Sequence, residues 1–180
     1  MSASALSTLP LRVTTTTDTP EAEATLLDAI KQLGSSDVVR ESIRSFYWWE
    51  GAVQNDEEIR LSFSTEKPFD QVLSAIGDAH NYDVPMIIAD SGDHGGTYLK
   101  GFLAPETDAT DIAATLAASR LVACAQVKVT DNALAVKTTA KARAAVEKLA
   151  PSMLWTPIVG NPAYLAWLDE ETKTEGDRCE

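Results

Sequence analysis

Residues 84–103 read VPMIIADSGDHGGTYLKGFL, and this stretch decides how the rest of the chain is organised. A short apolar strand is predicted over 84–89, and a second strand is predicted over 98–103. The glycine-rich segment 90–96 between them has the composition of a connection between two folded parts. We therefore predict that a pattern of strands and helices ends before this segment and begins anew after it.

The residues before the connection predict a strand, a helix, two strands, a second helix and a last strand. Alternating or β-branched residues indicate the strands, and apolar residues at helical spacing indicate the helices. The predicted strands cover 11–17, 38–53, 57–65 and 84–89, and the helices begin at Thr19 and Pro68. Asn55 and Asp56 are predicted to form the turn of a long hairpin.

The residues after the connection predict the same order of elements. The predicted strands cover 98–103, 121–129, 134–138 and 156–159, and the helices cover 107–119, 141–149 and 162–172. Each half thus predicts a ferredoxin-like βαββαβ unit, in which an antiparallel sheet carries its helices on one face. The fold class is α+β, with a first repeat over 8–91 and a second repeat with a C-terminal helix over 97–173. One irregular α+β domain is the alternative.

The composition excludes several classes of function. The net charge is −12, and no basic patch is present, so nucleic acid is not an expected partner. No apolar run reaches the length that spans a membrane. The two cysteines, Cys124 and Cys179, are expected to be free thiols in a reducing compartment, and we expect a cytoplasmic protein. The Ser- and Thr-rich start leaves an organelle as the alternative.

Several short segments carry a family resemblance. They are RSFYWWEG at 44–51, NDEE at 55–58, HNYDVP at 80–85, LAASRLVACAQV at 116–127 and TPIVGNPAYLAWLDEET at 156–172. Together they resemble the CutA divalent-cation-tolerance family. The first half keeps the aromatic hairpin and His80, whereas the second half keeps Cys124 and the closing segment. The chain is therefore similar to a tandem duplication with partly degenerate halves.

The resemblance implies a binding or regulatory protein, tied either to divalent metal tolerance or to the sensing of a small ligand. It implies Cys124 and His80 as metal ligands, with copper or another divalent metal as the only expected cofactor. The alternative for Cys124 is a buried apolar role, and for His80 a contact with helix-end carbonyls. His94 with Asp90 and Asp93 forms a second candidate metal site.

The aromatic run of the hairpin predicts an interface between subunits, because a two-stranded arm cannot bury both of its faces alone. The alternative is that both faces are internal, because the second repeat covers them. The interface candidates are Phe46, Tyr47, Trp48 and Trp49. The resemblance implies a homo-oligomer, which in the family is a trimer. Residues for a ligand cleft are Tyr82, Asp83, Tyr164 and Trp167.

The motifs of common enzyme classes do not occur. The chain has no GxSxG elbow, no HExxH segment and no glycine-rich phosphate loop after a strand. We therefore expect a protein that is not an enzyme. Two alternatives remain: a structural protein that kept the assembly and lost the metal site, and an enzyme with a cavity between the two sheets.

Overall fold

The computed structural model describes residues 10–91 and 96–172, which contain eight strands and five α-helices. The strands are β1 (Leu11–Thr17), β2 (Ser36–Trp49), β3 (Ala52–Thr65), β4 (Ile87–Asp90), β5 (Tyr98–Leu103), β6 (Cys124–Lys128), β7 (Leu134–Thr139) and β8 (Leu154–Gly160). The helices are α1 (Pro20–Gln32), α2 (Phe69–Ala79), α3 (Ala109–Ser119), α4 (Arg143–Leu149) and α5 (Pro162–Glu171). A turn of 3-10 helix, Ala140–Ala142, precedes α4.

The strands form one closed antiparallel barrel in the order β1-β3-β2-β6-β7-β5-β8-β4. Strands β4, β1, β3 and β2 lie side by side, and so do β6, β7, β5 and β8. Two seams join these groups of four. In the first seam β2 pairs with β6, with Phe46 opposite Ala125, and in the second β4 pairs with β8, with Ala89 opposite Val159.

The predicted combination of helices with antiparallel strands is confirmed, but the closure into a barrel was not predicted. Edge strands carry unpaired backbone N–H and C=O groups, and the two seams pair those of β2, β4, β6 and β8. The paired strands, β2 with β6 and β4 with β8, are far apart in the sequence. No short turn connects them, so the sequence pattern does not predict that they pair.

The predicted hairpin turn at Asn55 and Asp56 is wrong, because both residues lie within β3. The chain turns instead at Glu50 and Gly51, whose φ angles are +51° and +82°. A two-residue hairpin of this type needs a positive φ at both central positions, and glycine adopts that conformation without a steric penalty. The arm therefore pairs symmetrically, with Trp49 opposite Ala52 at its tip.

Helices α1 to α4 cover the outside of the barrel. Thr19 begins α1 by accepting a hydrogen bond from the Ala22 N–H through its side chain at 3.1 Å, and Pro20 occupies the first turn. The apolar stripes of α1 and α2 pack with β1, β3 and β4, and those of α3 and α4 pack with β2, β5, β6 and β7. The barrel thus has one apolar core beneath α1 and α2 and another beneath α3 and α4, and β2 of the first half contributes Phe46 to the second of these cores.

Helix α5 packs on the inner face of the barrel. Its Tyr164 and Leu168 form a third apolar cluster with Ile88 of β4 and Ile158 of β8. Ile87 and Ala89 belong to the outer core beneath α1 and α2, and Ile88 between them points to the opposite, inner face of β4. The final helix therefore fills part of the barrel and closes one side of the space inside it.

The rest of the inner face is rich in polar side chains. Because side chains alternate along a strand, Glu58, Gln126 and Lys137 point inward from β3, β6 and β7. Of the helices in the described part of the chain, none is long and apolar enough to cross a membrane.

Candidate functional site

A cavity of about 360 Å³ lies on the inner face of the barrel, and both halves of the chain contribute to its wall. Its volume is within the range of sites that hold small ligands. The lining residues are Thr16, Asp18, Ser45, Tyr47, Asp56, Glu58, Tyr82, Val84, Met86, Cys124, Gln126, Tyr164 and Trp167. The wall therefore combines three carboxylates with four aromatic rings.

The carboxylate of Glu58 is held by two hydroxyl groups. Ser45 Oγ donates to Glu58 Oε1 at 2.6 Å, and the Tyr82 hydroxyl donates to Glu58 Oε2 at 2.6 Å. Burial and the neighbouring Glu58 raise the pKa of Tyr82 well above its usual value, so this phenol keeps its proton. Glu58 is thus fixed in orientation by neutral donors and is not paired with a cation.

The other two carboxylates of the cavity are also held by neutral donors. Tyr47 donates its hydroxyl hydrogen bond to Asp56, and burial together with this bond raises the pKa of Tyr47 to about 12. Asn81 Nδ2 donates to Asp18 Oδ1 at 2.9 Å. Of the residues that the structure describes, no lysine, arginine or histidine lines the cavity. The carboxylates therefore make the cavity electronegative.

His80 lies beside the cavity but is not part of its lining. Its Nδ1 accepts a hydrogen bond from the Tyr82 N–H at 3.1 Å, so its Nε2 carries the proton and donates to Thr16 O at 2.8 Å. Burial lowers the pKa of His80, in keeping with a neutral ring. Both ring nitrogens are engaged, and neither offers a lone pair to a metal ion.

Cys124 is buried in the cavity wall, with its Sγ 3.7 Å from the Tyr164 hydroxyl. Burial raises the pKa of Cys124, so it is a thiol rather than the thiolate that binds metals. Within residues 10–91 and 96–172, no group of three or more His, Cys, Asp or Glu side chains is placed to hold a metal ion. The residues implied as metal ligands therefore do not fit a metal centre here.

The second candidate metal site lies largely beyond what the structure describes. His94 and Asp93 fall outside the described residues. Asp90, its third member, forms an ion pair with Lys100 at 2.7 Å between β4 and β5. This carboxylate therefore contributes to the packing of two barrel strands.

The interface candidates of the hairpin have different environments. Phe46 is buried in the core beneath α3, and Tyr47 lines the cavity. Trp48 is partly buried, and Trp49 at the tip is 50% exposed. Phe46 is therefore a core residue of its own chain, and only the tip of the arm presents an aromatic surface to solvent.

The residues named for a ligand cleft come from two segments that the fold brings together. Tyr82 precedes β4, whereas Tyr164 and Trp167 lie on α5, and all three line the cavity. The rings of Tyr164 and Trp167 are 5.6 Å apart between centroids. Asp83 is not part of the lining.

Sequence reasoning missed the polar residues of the inner strand faces, among them Ser45, Glu58, Gln126 and Lys137. Lys137 is 1% exposed and donates from Nζ to Gln126 Oε1 at 2.8 Å. The sequence does contain a signal for this buried polar residue, namely a single lysine within the strand LAVKTT, whose other residues are uncharged. It was missed because the inner face of β7 exists only once the barrel is closed.

Comparison with protein families places these features in a known context. The family model described as CutA1 divalent ion tolerance protein matches residues 11–104. The match begins with β1 and continues through the connection at 90–96 to the end of β5. It thus extends past the predicted boundary between the two repeats.

Two curated relatives match shorter parts of the chain. The divalent-cation tolerance protein CutA of Pyrococcus horikoshii is 41% identical over 59 residues, which are 32% of this chain and 58% of the relative. Protein CutA 1, chloroplastic, of Oryza sativa subsp. japonica is 44% identical over 48 residues, which are 26% of this chain and 27% of the relative. The chain thus spans 58% and 27% of the lengths of these proteins.

One solved structure completes the comparison. The crystal structure of CutA1 from Oryza sativa is similar to this chain at 33% identity and a TM-score of 0.41. The similarity covers 50% of this chain and 86% of that one.

Proposed function

Because the chain belongs to the CutA1 divalent ion tolerance protein family, we propose that it is a binding protein that senses a small organic cation in the barrel cavity, and that it is not an enzyme. The observation that carries the proposal is the composition of the cavity wall, with three carboxylates, four aromatic rings and, within the described part of the chain, no basic side chain. Aromatic faces and carboxylates together attract ammonium groups.

The arrangement of Glu58 supports this choice of ligand. Two hydroxyl groups hold the carboxylate in place, so its orientation does not depend on a bound cation. A preorganised acceptor loses little side-chain freedom when a ligand arrives. An ammonium group at Glu58 would form a charge-assisted hydrogen bond.

Copper tolerance by direct metal ligation has less support. His80 donates and accepts hydrogen bonds within its own half, and Cys124 is a buried thiol. A divalent ion in the cavity would depend on the same carboxylates as an amine. Metal binding is therefore the competing outcome of the experiment.

Isothermal titration calorimetry with butane-1,4-diamine, and separately with Cu²⁺, tests the proposal. We expect the diamine to bind the unaltered chain and Glu58→Gln to weaken its binding about tenfold or more, equal to about 1.4 kcal/mol. The amide of glutamine keeps the size of the side chain and removes its charge.

Glu57→Gln is the matched control. Glu57 precedes Glu58 on β3 but points to the opposite face, where it pairs with Arg44 at 3.5 Å. This variant should bind the diamine as the unaltered chain does. Equal losses in both variants, or binding of Cu²⁺ with no binding of the diamine, would contradict the proposal.

We also propose that the chain consists of two ferredoxin-like repeats, 8–91 and 97–173. The strand order supports the division: the first half runs β4-β1-β3-β2, and the second runs β8-β5-β7-β6. If the four strands of each half are numbered along the chain, both halves have the spatial order 4-1-3-2. This is the strand order of a ferredoxin-like sheet.

Two further proposals concern the setting of the protein. We propose that it forms a homo-oligomer through the hairpin tip, supported by the exposure of Trp49 next to the turn.

We propose a cytoplasmic location, supported by the buried thiol of Cys124, which is not in a disulfide.

A further inference from the structure

We propose that Lys137 is a covalent attachment site for small carbonyl compounds, acting as a nucleophilic amine held directly behind the wall of the barrel cavity. This inference goes beyond the binding of an organic cation and rests on other residues. It assigns a chemical role to a lysine on the inner face of β7.

The first observation is the burial of Lys137 without a counter-ion. Its side chain is 1% exposed, and its Nζ donates one hydrogen bond, at 2.8 Å, to the neutral amide oxygen of Gln126. Among the described residues, no carboxylate lies within 4.0 Å of this nitrogen. A buried ammonium normally has an anionic partner, because removing a charge from water is costly.

The second observation is the set of neighbours across the strands. Lys137 lies opposite Cys124 on β6 and opposite Lys100 on β5. Lys100 is an ammonium paired with Asp90 at 2.7 Å. Like charges directly opposite one another destabilise a sheet, so Lys100 favours an uncharged Lys137.

The electrostatic environment agrees with this geometry. Burial lowers the pKa of Lys137 to about 8, and the nearby charges of Arg60 and Lys100 act in the same direction, whereas Glu58 acts against it. At neutral pH a larger fraction of this side chain is therefore the free amine than for a lysine with the ordinary pKa.

The third observation is the proximity to the cavity. Gln126, the hydrogen-bond partner of Lys137, and Cys124, its cross-strand neighbour, both line the cavity. The amine is therefore separated from the cavity only by the side chain of Gln126, to which it is hydrogen-bonded. A rotation of the Gln126 side chain would expose Nζ to a small molecule in the cavity.

The proposed step is the formation of an imine with an aldehyde. The Nζ lone pair forms a bond to the carbonyl carbon, and the π electrons of the carbonyl move to its oxygen, which takes up a proton. The nitrogen gives up two protons in all, which balance the two that the carbonyl oxygen takes up. The first completes the hydroxyl of the carbinolamine, and the second lets that hydroxyl leave as water while the C=N bond forms, so that one water is released for each C=N bond. No oxidant or reductant takes part in this reversible step.

The test uses the full chain at pH 7, with propanal as the aldehyde in limiting amount and cyanoborohydride to reduce the imine. Peptide mass spectrometry then measures the rate at which each lysine gains a propyl group. We expect Lys137 to be modified faster than Lys67 and Lys141, which are exposed. Slower modification of Lys137 than of these two would overturn the proposal.

Two variants separate reactivity from folding, with circular dichroism to verify the fold. Lys137→Met removes the amine and should abolish this modification. Gln126→Glu keeps the lysine and places a carboxylate at its nitrogen, which should hold it protonated and lower its rate at least tenfold. If Lys137 in folded Gln126→Glu reacts at the unaltered rate, its reactivity does not arise from the missing counter-ion, and the proposal fails.

Discussion

Lys137 faces the interior of the barrel from a strand in which all six residues are buried. In the folded chain its pKa is about 8, whereas an unfolded chain gives it an ordinary value of about 10.5. Between these pH values the unfolded chain binds more protons, so stability rises with pH. Below pH 8 both states carry the proton, and the full cost of burying the charge, about 3 kcal/mol, is present.

Replacing this lysine by methionine should therefore stabilise the protein at neutral pH. Lys137→Met removes the buried charge and leaves the Gln126 oxygen without its donor, at a cost of about 1 to 2 kcal/mol. We expect a net gain of roughly 1 to 2 kcal/mol at pH 7. This gain falls as the pH rises and becomes a net loss of about 1 kcal/mol near pH 10.5, where the cost of the buried charge is almost gone and the unpaired Gln126 oxygen remains. Urea denaturation of both proteins at pH 7 and pH 10 measures the difference.

Lys128→Met is the control for that measurement. Lys128 is paired with Glu41 at 3.2 Å and with Asp131 at 3.4 Å, so its removal leaves these carboxylates without their cation and should destabilise the protein slightly at pH 7. A loss of stability in Lys137→Met at pH 7, similar to the loss in Lys128→Met, would contradict the account of an unpaired buried charge.

At the residue scale, the sequence identified the part of the site that belongs to recognisable motifs. Tyr82 and Tyr164 lie in HNYDVP and TPIVGNPAYLAWLDEET, and both line the cavity. Glu58 was not predicted as a site residue, because the hairpin turn was placed next to it, at Asn55 and Asp56. Moving the turn to Gly51 puts Glu58 on an inward-facing strand position.

At the scale of the elements, the periodicity predicted most strands and helices, because each has an apolar face of the right period. The hairpin was the exception. The turn was predicted at Asn55 and Asp56, whereas the chain turns at Glu50 and Gly51. The consequence is a longer second strand in the arm, which brings Asp56 and Glu58 beside Ser45 and Tyr47.

The same hairpin allows a test of the proposed homo-oligomer. Trp49 is 50% exposed at the tip, and burying such a ring between subunits would contribute about 2 to 3 kcal/mol per contact. Trp49→Ser should therefore shift the mass toward the monomer in light scattering after size exclusion. Leu149→Ser, at an exposed apolar residue at the end of α4, should leave the mass unchanged. An unaltered mass in Trp49→Ser, or a monomeric parent protein, would contradict this role of the tip.

At the scale of the whole molecule, the two seams make the halves depend on each other. The outer core beneath α3 and α4 includes Phe46 of the first half, and the β2–β6 and β4–β8 pairings and α5 also connect the halves. Asn161 strengthens the second seam. Its Oδ1 accepts a hydrogen bond from the Ile87 N–H at 3.1 Å, and its Nδ2 donates to Pro85 O at 2.9 Å. This interdependence could not be read from either half of the sequence alone.

Unfolding one half would leave the seam strands of the other half unpaired and would remove part of the cavity wall. We therefore expect the two halves to unfold in one cooperative transition. Trp48 and Trp49 lie in the first half, and Trp155 and Trp167 lie in the second. A variant with both Trp48→Phe and Trp49→Phe therefore reports only on the second half, and one with Trp155→Phe and Trp167→Phe only on the first.

In each variant, the urea midpoint from tryptophan fluorescence should coincide with the midpoint from circular dichroism, which averages over both halves. Comparison within one variant removes the effect of the substitutions on stability. If the fluorescence midpoint lay below the dichroism midpoint in one variant and above it in the other, the halves would unfold separately. The seams would then hold together two independent domains, and a cavity with walls from both halves would open whenever the weaker half unfolds.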